Sequence, residues 1–241
     1  MLHMIELRPD IIALIRYLRD QGLEFGKGDD LGYGVHAWLS AAFGDMAPTT
    51  WRLFIDRRRP PRVLGYSHHS AAVLRQRLRE FADPGLFAVT DEPDSMISSR
   101  PMPAFASERR LGFELLALPV GRKASTGTEK DLFLIRADAS EGQNVEREAV
   151  YCDWARERLE RENACVVTGM EMSGFRLTRM TRRQDIRVKG GKRGSSQIVR
   201  PQVLLRGDLI VCDPDAFATL LARGVGRHRA FGYGMLLLRP A

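Results

Sequence analysis

Three observations predict an α+β chain of two tandem ferredoxin-like units, an arrangement also described as RRM-like. Segments of strand and helix periodicity follow the order β-α-α-β-β-α-β over the first hundred residues and β-α-β-β-α-β thereafter. A proline-bearing stretch, Pro101 to Ser107, separates the two runs. At 241 residues the chain is long enough to bury two small cores. The expected units are residues 1–104, with an additional helix in the first crossover, and residues 108–241.

In the first unit, Leu2 to Leu7 reads as a strand that Pro9 closes. Ile11, Ile12, Leu14, Ile15 and Leu18 then recur at helical spacing up to Gly22. Glu24 to Asp30, glycine-rich and charged, reads as a loop. A second helix is expected from Leu31 to Phe43, with Gly32 and Gly34 at its start. Thr49 to Asp56 reads as a strand, Arg57 to Arg62 (RRRPPR) as a turn and Val63 to Ser67 as another strand. Ala71 to Phe81 follows as a helix with Leu74, Leu78 and Phe81 on one face, and Met96 to Pro103 supplies the closing strand.

The second unit opens with a strand from Leu111 to Val120 and a polar segment from Gly121 to Lys130. The helix Glu146 to Arg161 buries Val150, Trp154 and Leu159. Val166 to Arg179 and Gln197 to Cys212 read as long strands, joined by Lys189 to Ser196. Asp213 is expected to cap the next helix, with Pro214 in its first turn. The tail supplies the last strand.

Lys and Arg number 37 against 30 Asp and Glu, a net charge of +7. The surplus is concentrated. Between Arg176 and Arg206 ten residues are basic and only Asp185 is acidic, so the remainder is slightly acidic. A localised basic surface points to a polyanionic partner. Cys152, Cys165 and Cys212 form no Cys-x-x-Cys pair, which argues against a disulfide framework and a structural zinc site. Cys165 and Cys212 read as small core residues. No signal-peptide pattern opens the chain, and no apolar run approaches the roughly 18 residues of a membrane span. A soluble cytoplasmic protein with no membrane partner is expected.

The strongest functional signal is the tail GVGRHRAFGYGMLLLRPA, Gly224 to Ala241. Gly224, Gly226, Gly232 and Gly234 bracket Arg227, His228 and Arg229, and the apolar run Met235 to Leu238 follows. Glycine permits positive φ and close approach, and exposed backbone N–H groups beside two arginines suit a phosphate. The loop runs from helix to strand, the reverse of a dinucleotide fingerprint, so a nucleotide cofactor is not expected. A tight helix-to-strand connection whose glycines serve packing alone is the other reading.

A glycine-rich basic loop running into a hydrophobic C-terminal strand resembles the signature of the CRISPR repeat-processing endoribonucleases, above all the CasE type of the Cascade surveillance complex. Arg110 to Lys123 (RLGFELLALPVGRK) is similar to the strand that opens the second half of those enzymes. Arg147 to Leu159 (REAVYCDWARERL) is similar to the helix that follows it. Tyr33-Gly34-Val35-His36 resembles the catalytic Tyr-x-x-His pair of some members. The likeness is good over residues 108–241 and thin over the first hundred.

The resemblance implies the same double ferredoxin-like architecture. It also implies cleavage of CRISPR precursor RNA at the 3′ base of a repeat stem-loop, leaving a 2′,3′-cyclic phosphate (or its opened form) and a 5′-hydroxyl. The enzyme would retain the processed hairpin and join Cascade-like subunits. Closer members pass directly from the first strand to the Tyr-x-x-His helix, so the helix Ile11 to Gly22 departs from their pattern. That departure and the abundant arginine leave open a type IV relative in which arginines carry cleavage.

The residues suit such chemistry in their own right. His3, His36, His68, His69 and His228 lack His-x-x-x-His spacing, and no carboxylate cluster sits near a histidine pair, so no metal cofactor is expected. RNA carries its own nucleophile, the 2′-OH. Cleavage then needs a base for the hydroxyl proton, an acid for the departing 5′-oxygen and positive charge at the phosphate. Histidine, with an ordinary pKa of about 6.5, suits either proton role.

His36 is the expected catalytic residue and Tyr33 its partner, because i and i+3 share a helix face. A structural histidine beside Trp38 and Leu39 is the alternative. His68 and His69, adjacent on a strand, point to opposite faces, so at most one can serve a site. On the loop, Gly226, Arg227, His228, Arg229 and Gly232 are expected to hold phosphate. Arg182, Arg183, Lys189, Lys192 and Arg193 are expected to grip a duplex stem through its phosphates. Only Phe175 lies alongside them to stack on a base. A non-catalytic RNA-binding subunit of the same fold and an unrelated two-domain binder of acidic small molecules are the remaining readings.

Overall fold

A computed structural model describes residues 1–23, 31–56, 58–122, 127–140, 144–187 and 193–241, with the backbone alone at 181–187 and 193–197. The expected loop Glu24 to Asp30 and residue Arg57 lie outside the described residues. The chain begins with β1 (His3–Leu7), α1 (Ile11–Asp20) and α2 (Gly32–Phe43). The hairpin β2 (Thr50–Asp56) and β3 (Arg59–Ser67) follows, then α3 (Ala71–Phe81), two single turns α4 (Pro84–Phe87) and α5 (Pro93–Met96), and β4 (Ile97–Pro101). The second half contains β5 (Arg110–Ala117), a ribbon of β6 (Val120–Arg122) and β7 (Glu129–Asp131), α6 (Leu132–Ala139) and α7 (Arg147–Leu159). It ends with β8 (Cys165–Arg187), β9 (Arg193–Val211), α8 (Pro214–Arg223) and β10 (Leu236–Pro240).

Each half makes one antiparallel four-stranded sheet, in the orders β2-β3-β1-β4 and β10-β5-β9-β8. In both, the half's first strand lies between its third and fourth, which is the ferredoxin-like order the sequence predicts. Apolar faces of the helices explain the layering. Leu14 and Leu18 of α1, Trp38 and Leu39 of α2, and Leu74 and Leu78 of α3 are buried against Ile5 and Leu7 of β1. In the second half, Tyr151 and Trp154 of α7 and Phe217 of α8 pack on Phe113, Leu115 and Leu205. Burial on this scale contributes roughly 1.5–3 kcal/mol for each large apolar side chain.

Caps set the helix starts. Asp10 accepts from the amides of Ile12 and Ala13, and Asp213 accepts from those of Asp215 and Ala216 with Pro214 in the first turn. Each cap is worth about 1 kcal/mol. All three cysteines are free; Cys165 is buried, its thiol pKa pushed up to about 12 by burial, whereas Cys212 is only half-buried.

Several boundaries differ from those the sequence predicts. β3 starts at Arg59, not Val63. Pro60 and Pro61 enter the strand where its ladder with β2 shifts register between Phe54 and Asp56, so neither missing N–H breaks a regular pair. β5 stops at Ala117 because Pro119 cannot extend the ladder, and the polar segment beyond it forms β6 and β7. Phe81 is 64% exposed, with the Arg77 guanidinium 4.2 Å above its ring, instead of lying on the buried face of α3. β8 and β9 run further than expected. Among the described residues β9 pairs with β5 through Val203 to Ile210 alone, and the part of the hairpin N-terminal to Val203 on β9 pairs with β8 alone.

The two halves are joined through β2 and β3. Tyr66 of β3 lies in the second half's core and donates its hydroxyl to the Leu236 carbonyl at 2.9 Å. Thr49 Oγ1 donates to the Ala222 carbonyl at 2.8 Å, and Arg52 pairs with Glu114 at 2.6 Å. These contacts set α2 of the first half against the α8–β10 connection of the second.

Candidate functional site

The sequence offered two separate signals, Tyr33-x-x-His36 and the glycine loop, and the structure brings them together. On α2, Val35, Trp38 and Leu39 face the core, which leaves Tyr33 and His36, one turn apart, on the side toward the loop. Phe231 of the loop fills the space between them. Its ring centroid is 6.0 Å from that of Tyr33, stacked, and 5.5 Å from that of His36, edge to face. The His228 ring lies 6.0 Å from Phe231 on the same cluster. Aromatic contacts of this kind contribute about 0.5–1.5 kcal/mol each and fix ring orientation.

His36 is half-buried, and that burial lowers its pKa from the ordinary value. The ring is therefore neutral at neutral pH. Its Nδ1 faces Ser40 Oγ at 3.5 Å, while Nε2 has no hydrogen-bond partner among the described residues. A neutral imidazole accepts a proton at the ring nitrogen that carries no hydrogen, which is Nε2 when Nδ1–H donates to Ser40.

The loop owes its shape to close approach. Gly232 has φ +88°, and a Cβ there would stand 2.7 Å from the Trp51 ring. Gly224 has φ +70°, and its Cβ would meet Thr50 Cγ2 at 2.5 Å. No other residue fits both the backbone angle and the space. The amide of Val225 donates to Gly234 O at 2.8 Å, and the amide of Gly234 donates to Leu116 O at 2.7 Å, which ties the loop to β5.

The charges on the loop are already engaged. Glu129 of β7, 9% exposed, accepts from Arg227 Nε and His228 Nε2, each at 2.8 Å, and from Arg200 Nε at 3.3 Å. Burial pushes the Glu129 carboxyl up, but the hydrogen bonds and charges of His228 and Arg227 outweigh it and hold its pKa below the usual carboxylate value. Arg229 donates to the Arg223 carbonyl. The Arg227 side chain remains 46% exposed.

Beside this cluster a cleft of about 950 Å³ opens between β2 and the β8–β9 hairpin. Phe231, Gly232 and Tyr233 line it together with Trp51, Arg176 and Arg179. Arg182, Arg183 and Arg193 lie on the hairpin strands, where Arg182 is opposite Ser196 and Arg183 opposite Ser195. Their side chains, and Lys189 and Lys192 altogether, lie outside the described residues. His68 and His69 follow β3, and neither ring joins the Phe231 cluster. Among the described residues no three His, Cys, Asp or Glu side chains converge as metal ligands do.

Sequence reasoning missed Phe231, Glu129 and Arg200. Phe231 was open to notice as the phenylalanine between Gly226 and Gly232. Glu129 carried no signal, because nothing local ties it to a loop almost a hundred residues away.

Comparison with known proteins gives a consistent result. The CRISPR-associated endoribonuclease Cse3 of Thermus thermophilus is 29% identical over 209 residues, covering 86% of this chain and 90% of the relative. Among solved structures, a CRISPR endoribonuclease Cse3 bound to 19 nt RNA superposes with a TM-score of 0.62 at 22% identity over the whole of both chains. A chain of a CRISPR RNA-guided surveillance complex superposes with a TM-score of 0.54 at 17% identity, covering 99% of this chain and all of its own. These superpositions carry the fold. The CRISPR associated protein family matches residues 11–240, nearly the full length, and the chain belongs to that family.

Proposed function

We propose that this protein is an endoribonuclease that cleaves CRISPR precursor RNA within the repeat, at the base of a stem-loop, without a metal ion. The observation that carries the reading is the meeting of Tyr33 and His36 with His228 on the single ring of Phe231, at a junction beside an arginine-lined cleft. The relative of similar length, named as an endoribonuclease, supports the same activity.

In this reaction a base takes the proton from the 2′-OH. The freed oxygen attacks the adjacent phosphorus, the bond from phosphorus to the 5′-oxygen breaks, and that oxygen takes up a proton. The products are a 2′,3′-cyclic phosphate and a 5′-hydroxyl. Neutral His36 suits the proton transfer, and the Tyr33 hydroxyl assists by hydrogen bonding to nucleophile or phosphate. The half-exposed Arg227, with Arg229, His228 and the backbone at Gly226 and Gly232, holds the phosphate charge. The hairpin, with Arg182, Arg183, Lys189, Lys192 and Arg193, grips the stem. Units 1–104 and 108–241 then divide the work, proton transfer on the first and RNA grip on the second. The processed hairpin stays bound, and the protein joins other CRISPR subunits in the cytoplasm.

The test is cleavage of a labelled repeat hairpin in EDTA by wild type and by His36→Ala. A wild type that cuts beside a variant that binds without cutting sustains the reading. Activity lost in EDTA and restored by Mg²⁺ defeats the metal-free mechanism. Binding without cutting by wild type identifies a non-catalytic RNA-binding subunit.

A further inference from the structure

We propose that Glu129 is a positioning residue for cleavage: by holding Arg227 and His228 it fixes the glycine loop in the form that sets Phe231 against His36 and Tyr33. This rests on the endoribonuclease reading of the site.

A carboxylate with 9% of its side chain exposed loses part of its hydration and is held by its pairing, and its partners come from two separate elements, Arg200 from β9 and Arg227 with His228 from the loop. His228 is the critical one. Its backbone is left-handed, at φ 60° and ψ 28°, a conformation that residues other than glycine seldom take. Its side chain is anchored on Glu129 while its carbonyl accepts the Phe231 amide at 2.9 Å. That hydrogen bond opens the short 3-10 turn Arg229–Phe231. The chain of contact therefore runs from Glu129 to His228, through one turn of backbone to Phe231, and from that ring to His36 and Tyr33.

The sign of the effect separates orientation from binding. A negative charge 2.8 Å from Arg227 Nε opposes an RNA phosphate there. If Glu129 served RNA affinity, its presence would be self-defeating. Its removal is expected to leave hairpin affinity unchanged or tighter while cleavage slows, a split that general loosening of the fold does not produce.

The experiment measures hairpin affinity, melting temperature and single-turnover cleavage at saturating enzyme for wild type, Glu129→Ala, Phe231→Leu and the double variant. Glu129→Ala is expected to bind within about threefold of wild type, or tighter, and to cut at least about tenfold more slowly. Because Glu129 acts through Phe231, the double variant falls no further than the slower single one. Cleavage by Glu129→Ala within about twofold of wild type overturns the inference, as do losses that multiply in the double variant or appear wholly as weaker binding. Should Glu129→Ala fail to fold, Glu129→Gln takes its place in the cycle with the same readings. It keeps the size and one acceptor but turns an amide N–H₂ toward the cations. A wild type that binds without cutting overturns the endoribonuclease reading and this inference with it, whereas a cutting wild type beside an unaffected Glu129 variant overturns this inference alone.

Discussion

The two ferredoxin-like halves reach their last strands by topologically equivalent connections, one from α3 to β4 and one from α8 to β10. The first spends its residues on its own core. Leu86 and Val89 are buried there, Asp83 caps α4 through the Leu86 amide, and the Val89 carbonyl accepts from Asp10 at the start of α1. Its one glycine, Gly85, has ordinary φ and ordinary van der Waals room around it. The second connection turns outward to the other half. Gly224, Gly226, Gly232 and Gly234 all have positive φ, and two of them abut Thr50 and Trp51 of β2. One fold position thus serves as a stabilising cover in one half and as the floor of a site in the other. A connection packed into its own core needs apolar side chains, whereas one pressed against a neighbouring unit's aromatic ring needs their absence.

Four measurements break or sharpen this contrast. The largest effect belongs to the first half's contribution to the site. His36→Ala lowers single-turnover cleavage of a repeat hairpin by about 10²- to 10⁴-fold, the usual range for general acid–base catalysis, with affinity within about threefold. Equal cutting by the variant removes the chemistry from α2. Next comes the outward connection. Gly232→Ala introduces a strained φ and a Cβ against Trp51, costing about 2–4 kcal/mol, seen as a melting temperature lower by about 5–10 °C. An unchanged melting point would mean that the loop is not pressed on β2.

The third measurement is of pH. Burial lowers the His36 pKa below 6.5, so the fold favours the neutral ring. The unfolded chain, at the ordinary value, takes up the proton first. His36 therefore contributes stability that is full above pH 6.5 and eroded below it. Glu129, held low, contributes stability that is full above pH 4.5 and lost as pH falls through its depressed value. The acid limb of cleavage is accordingly expected to have its midpoint below 6.5, and His36→Ala to lose less stability than wild type between about pH 7.5 and 5.5. A midpoint above 6.5 would take His36 out of the role of base. The smallest effect is the control in the inward connection, where Gly85→Ala shifts stability by no more than about 0.5 kcal/mol in either direction, measured by urea titration.

Much of the fold is readable from the chain because local physics and packing agree there. The apolar period of Leu14 and Leu18, the Asp213–Pro214 start of α8 and the alternation along β5 each specify an element whose buried face matches. The elements that escape reading are short or, like the eight-residue α6, have no fully buried side chain to mark a face. α4 and α5 are single turns, and β6 and β7 have three residues each, too few to show a period. The prolines at 60 and 61 suggest a turn because they have no N–H to donate, yet a register shift in the ladder accommodates them. Phe81 matches an apolar stripe in sequence but sits in the last turn of α3, outside the core.

The site divides in the same way. Residue types and spacings within one segment, Tyr33 with His36 and the basic cluster bracketed by glycines, were determined by the sequence alone, because such signals need only a helix turn or a loop to carry them. Only the tertiary structure decided that these two segments share one ring at Phe231, that the loop's glycines answer to Thr50 and Trp51, and that Glu129 engages Arg227 and His228 of the loop. Contacts between residues so far apart in the chain arise from how two sheets dock, and docking depends on the summed shape of both halves, which no short stretch of sequence contains.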